Sequence, residues 1–131
     1  MIPLANKKLF NENLAHLFYA VAMADKRMDT DEKKKIVSIV EKNWIDNTNN
    51  QQNKEAIYQT IRELIQEHVS SEEAFNKFKL YVTANKELFT NDLSKRIIKA
   101  SHSICESFAN KNKSELILLA KIHKLLLTNG A

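Results

Sequence analysis

Apolar residues recur three and four positions apart along nearly the whole chain. Leu14, Leu17, Phe18 and Val21 follow Asn11, a residue type suited to cap a helix, and this spacing predicts an amphipathic helix running to about Ala24. Asp29 with Glu32 three positions on has the form of a capping box, and Ile36, Val37, Val40 and Trp44 continue one face of a second helix. The stretch Asp46 to Asn53 is rich in Asn and Gln and reads as a solvated connection. Ile57, Ile61, Leu64, Ile65 and Val69 mark a third helix. Ser70 or Ser71 then caps a fourth, whose stripe of Phe75, Phe78, Tyr81 and Val82 reads as core rather than as a stacking platform. From Thr90 or Asn91 a long fifth helix carries Leu93, Ile97, Ser101, Ile104 and Phe108 on one side, and Ser114 with Glu115 opens a sixth. That last helix is apolar nearly all round from Leu116 to Leu127, with Lys121 and Lys124 in a narrow polar strip. It is expected to be either the central strut of the bundle or half of a homodimer interface.

Composition supports an all-α reading. Pro3 is the only proline and Gly130 the only glycine, so the residues that build tight hairpins and punctuate sheets are missing, and turns fall to Asn, Asp, Ser and Thr. With 131 residues, 44% hydrophobic and 27% charged, the expectation is a single domain over residues 1–131, folded as a compact bundle of about six helices. Cys105 is the only cysteine, which precludes an internal disulfide; with no secretory leader pattern, a cytoplasmic location is expected. No run approaches the roughly 20 apolar residues of a transmembrane helix, which leaves peripheral membrane association open. The net charge of +4 comes from 20 basic against 16 acidic residues. Seventeen of the basic residues are scattered lysines, and no nucleic-acid partner is expected of such a surface.

Asp25, Asp29, Asp31 and Glu32 put four carboxylates within eight residues, an oxygen-rich group of the kind that holds a hard cation such as calcium or manganese. The spacing is not that of an EF-hand, because Lys26 and Arg27 interrupt it. Three of these acids also have structural work: Asp29 as cap, and Asp31 and Glu32 in the first helical turn, where the dipole favours negative charge. Asp25 extends the apolar stripe at a helix C-terminus, where negative charge is disfavoured. It calls for free backbone N–H groups, a cation or a basic side chain in compensation.

His102 and Cys105, three apart, are too few to make a zinc site, and Cys105 on the apolar face is expected to be a buried structural thiol. His16, His68 and His123 are read as isolated on different helices. The chain holds neither Glu-x-x-His nor HExxH, and it lacks the glycines of a phosphate loop. No catalytic residue is assigned, and a non-enzymatic protein is expected.

The segment Leu14 to Trp44 resembles the tellurite-resistance TerB-like family, whose hallmark is a helix ending in Ala-Asp-Gly, then a hydrophobic residue and a Glu opening the next helix. Ala24, Asp25, Met28 and Glu32 match these features in order, with Lys26 in place of the usual Gly. The family carries an internal duplication, and Ser103 to Leu126 looks like a worn second copy in which Asn110 replaces the Asp and Glu115 falls two positions early. The resemblance implies a pseudo-repeated helix-turn-helix bundle with acidic residues of the two copies near one another. It further implies a metal-binding or partner-binding surface built from Asp25, Asp29, Asp31, Glu32, Asn110 and Glu115. The expected function is a non-enzymatic interaction module in a tellurite, chemical or envelope stress response, acting through a protein partner without a cofactor. The alternative is a sensor that binds a divalent cation, calcium or manganese, at the acidic turn.

Overall fold

A computed structural model describes residues 4–24, 30–45, 54–107 and 113–128. Among these residues there are six α-helices and no strand: α1 Leu4–Ala22, α2 Thr30–Val40, α3 Lys54–Gln66, α4 Ser71–Ala84, α5 Asn91–Ser107 and α6 Lys113–Thr128. A π-helical turn, Glu41–Ile45, follows α2, and a 3₁₀ turn, Lys86–Leu88, separates α4 from α5. The all-α bundle of about six helices expected from the sequence is observed.

The middle of the molecule is α1, which contacts all five other helices and packs most extensively on α3 and α4. From Leu14 to Ala22 every residue except His16 is buried, small alanines alternating with Leu17, Phe18 and Tyr19. A helix buried on all sides is apolar on all sides. This corrects two expectations. The central strut is α1 rather than the last helix, since α6 leaves Leu116 and Ile117 about half exposed (52% and 48%). Nor is Asn11 a cap: it lies inside α1, buried, and its side-chain amide donates to the Lys7 carbonyl one turn back (2.8 Å). Asn favours helix ends because it competes for backbone partners, but an i−4 carbonyl inside a helix satisfies it as well.

The predicted caps of α4 and α5 are found, whereas α6 begins at Lys113, one residue before the expected Ser114. Ser70 caps α4 by accepting from the Glu73 N–H (3.1 Å), and Thr90 Oγ1 accepts from the Leu93 N–H (3.3 Å) at the start of α5. The helix α3 ends without glycine. His68 takes the left-handed conformation (φ 54°), its N–H reaching the Ile65 carbonyl (3.1 Å) and the Val69 N–H the Leu64 carbonyl (3.1 Å). These are the paired bonds of a Schellman termination. Two side chains fasten this corner to α1: the Tyr19 hydroxyl donates to the Val69 carbonyl (2.6 Å), and Ser71 Oγ donates to the Ala20 carbonyl (2.7 Å).

The aromatic stripe of α4 is core, as expected: Phe75, Phe78, Tyr81 and Val82 are all buried. Phe89, just beyond the 3₁₀ turn, meets Phe78 and Tyr81 edge-on (5.9 and 6.1 Å between centroids) and Phe10 at 6.0 Å. Such geometry adds about 0.5–1.5 kcal/mol per pair beyond area burial. Two turns further along α1, the π-helical turn sets Trp44 against Phe18 (5.5 Å). The Tyr58 hydroxyl of α3 donates to the Glu41 carboxylate in the same turn. The connection expected at Asp46 to Asn53 lies outside the described residues, as does Phe108. No helix among the described residues is long and apolar enough to cross a membrane.

Candidate functional site

The first residues of α4 and of α6 and the last described residues after α1 converge on a groove of about 360 Å³. Local folding explains each wall. α1 unwinds at Met23 and Ala24, whose N–H groups still reach the Tyr19 and Val21 carbonyls (2.9 and 3.3 Å). The Ser70 cap and the Ser71 bond to Ala20 then hold the start of α4 beside that end of α1. On the α6 side stand Ser114, Ile117, Leu118 and Lys121. The apolar lining is Ala24, Phe75, Ile117 and Leu118, and exposed Glu72, Asn76, Ser114 and Lys121 rim it. An apolar trough with charges of both signs at its edge can take an apolar side chain and orient its neighbours by hydrogen bonds.

Of the acidic residues singled out by sequence, Asp25, Asp29 and Asn110 lie outside the described residues. Asp31 and Glu32 fall in the first turn of α2, which begins at Thr30, one residue after the expected cap. Glu115 sits in the first turn of α6, and its carboxylate turns inward, 3% exposed. There its Oε2 accepts from the Cys105 thiol of α5 (2.7 Å). Cys105 is buried, in keeping with a structural thiol. A carboxylate in a helix's first turn is favoured by the dipole, and the thiol supplies a donor in a place water does not reach.

One juxtaposition escaped the sequence reading. His123 is not isolated: its Nε2 lies 3.0 Å from Nε2 of His102, the rings edge-on at 79° with centroids 5.2 Å apart. Both rings are half-buried on the α5–α6 interface. Antiparallel register about residues 108–112 was a signal for Cys105 and Glu115, which lie equally far on either side of that span, but it would set 102 opposite 118 rather than 123, so the imidazole pair had no such signal. Among the described residues, no three His, Cys, Asp or Glu side chains gather where they can hold a metal ion.

His16, on the central helix, is also half-buried. Burial holds its pKa below the usual value near 6.5, and Lys77 pushes the same way; the hydrogen bond to the Glu12 carbonyl (2.7 Å) and the Glu12 charge act in the opposite sense. Comparison of the chain with family models, with curated proteins and with solved structures found no match.

Proposed function

We propose that this chain is a non-enzymatic interaction module of the TerB-like type, acting through a protein partner in a tellurite, other chemical or envelope-linked stress response. The observation that supports this most is the groove itself. Ala24, the residue before the turn beginning at Asp25, and Ser114, the residue before Glu115, line the same cavity. Described residues beside both motif segments therefore meet at one surface feature. Ile117, about half exposed, gives that feature an apolar contact point. A partner side chain seated there would bury Ile117 and the groove lining together, the arrangement of an interface core within a polar rim.

A photo-crosslinking amino acid placed at Ile117 tests the reading in the native host under tellurite stress. Leu80, 70% exposed on α4 and outside the groove lining, is the control position. A discrete heterologous adduct from position 117 and none from position 80 is expected. An adduct with a second copy of the chain would replace the partner by a homodimer through α6. Identical yields at the two positions would sink the proposal. The acidic half is tested separately: Asp25→Ala with Glu32→Ala should weaken capture of the identified partner while the helical circular dichroism is kept.

A further inference from the structure

We propose that His102 and His123 form a two-imidazole site for a borderline divalent transition ion, zinc or nickel, completed by water. The inference is independent of the groove, whose lining includes neither residue. The Nε2 atoms meet across two helices at 3.0 Å in a hydrogen bond, one ring donating to the other, and an ion bound between them takes the place of the shared proton. With metal–nitrogen bonds of about 2.0–2.1 Å, two imidazoles at a right angle around one ion sit about 2.9 Å apart, and at the tetrahedral angle about 3.3 Å apart. The observed separation lies between these values, so the spacing of the two nitrogens already suits one shared ion once the rings turn to aim both lone pairs at it. Imidazole suits zinc and nickel, whereas calcium and magnesium demand oxygen.

The position favours a site over a sealed core pair. Both rings are half-buried, so an ion reaches them from solvent and keeps water in its remaining positions. The Cys105 thiol, three residues from His102, donates to the Glu115 carboxylate. Among the described residues no three candidate ligands gather, so the site rests on the two imidazole nitrogens and the expected affinity is modest. The two rings are 21 residues apart in sequence and meet only in the folded hairpin of α5 and α6. An ion that needs both therefore binds the native state and stabilises it by mass action.

The test is calorimetric titration of the full chain with zinc chloride and with nickel chloride, in buffer free of chelators. One ion per chain with a dissociation constant of about 1–100 μM is expected, together with a melting temperature raised by several degrees in metal excess. His102→Ala and His123→Ala should each weaken binding at least tenfold. Should either variant fail to fold, the wild-type protein supplies the second measurement. Equimolar nickel should broaden the ring-proton resonances of His102 and His123 before those of His16 and His68. Absence of saturable binding, undiminished binding by both folded variants, or first broadening at His16 or His68 would each overturn the site.

Discussion

Removing one oxygen atom, in Tyr19→Phe, tests whether the central helix is held by hydrogen bonds as well as by apolar packing. The ring is 1% exposed, and its hydroxyl donates to the Val69 carbonyl at 2.6 Å and more loosely to the Leu64 carbonyl at 3.3 Å. The second contact counts for little, because Leu64 already accepts from the Val69 N–H. One good bond is therefore at stake, and losing the donor should cost about 1 kcal/mol. For a chain of this length that corresponds to a fall of roughly 3–5 °C in melting temperature. Urea denaturation should show a lower midpoint at unchanged slope, since the ring stays and the surface exposed on unfolding is the same. Ser71→Ala cuts the neighbouring bond to Ala20, and because both bonds fasten the α3–α4 corner to α1, the double variant should depart from additivity by about 0.5 kcal/mol. Burial also raises the Tyr19 pKa above the usual 10.0. The folded state thus keeps the proton longer than the unfolded chain does, and the associated stability, complete below pH 10, is lost as the pH climbs through the raised folded value. Tyr19→Phe should lack this component of alkaline unfolding. If it proves as stable as the wild type at pH 7, desolvation of the hydroxyl cancels its bond, and the Tyr19 ring holds the corner by packing alone.

Three further outcomes follow from the same structure. His16, its pKa lowered chiefly by burial, contributes stability above its unfolded value near 6.5 that is lost as the pH falls through the lower folded value; His16→Gln should therefore lose less stability than the wild type between about pH 7 and pH 5, and equal losses in chemical denaturation would refute the assignment. His68→Gly relieves a left-handed residue of its Cβ at a cost of about 1–2 kcal/mol, partly offset by a freer unfolded chain, so a gain of about 0.5 kcal/mol is expected by thermal unfolding and a loss would contradict the Schellman termination. If the acidic turn serves as a protein contact, calcium or manganese at about 5 mM should leave the melting temperature within about 1 °C; a rise of several degrees at that excess would instead make the turn a cation site.

What was legible in the sequence was local. Ser70 and Thr90 act as caps because a short hydroxyl beside a helix start has a donor within reach whatever the rest of the chain does. The α4 stripe is core because aromatic rings at helical spacing bury too much area to face water. What stayed hidden depended on partners distant in sequence. Asn11 carries the signature of a cap but finds its acceptor four residues back, and only the continuation of α1 to Leu4 distinguishes the two cases. The hub role of α1 had a signal: no charged residue occurs from Asn13 to Ala24, whereas α6 holds Lys121 and Lys124. The left-handed His68 had none, since glycine or asparagine is the usual occupant. The imidazole pair required a register that periodicity within single helices does not contain.

The first turn of α6 brings these strands together, because its polarity is reversed relative to its burial. It buries Glu115 while leaving Leu116 and Ile117 half in water. Fully burying a side chain such as Ile contributes about 1.5–3 kcal/mol, so an exposed Ile117 forgoes a good part of what an inward position would supply. Sinking a carboxylate is unfavourable unless a donor meets it, and here the Cys105 thiol does. Leu118, Leu119, Ile122 and Leu126 share the buried face with Glu115, so a helix chosen only for the stability of one folded chain would carry an apolar residue at 115 and a polar one at 117. Such local inconsistencies concentrate where a chain serves something besides its own folding. The reversed turn forms one wall of the groove to which Ala24 leads, and this convergence favours Ile117 over any other exposed apolar residue as the contact point. Ile117→Ser would decide the matter with little ambiguity: it removes apolar area already half lost to water, so stability should fall by less than about 1 kcal/mol while partner capture falls at least tenfold. A variant that lost stability without losing the partner would show the reversed turn to be a feature of packing alone.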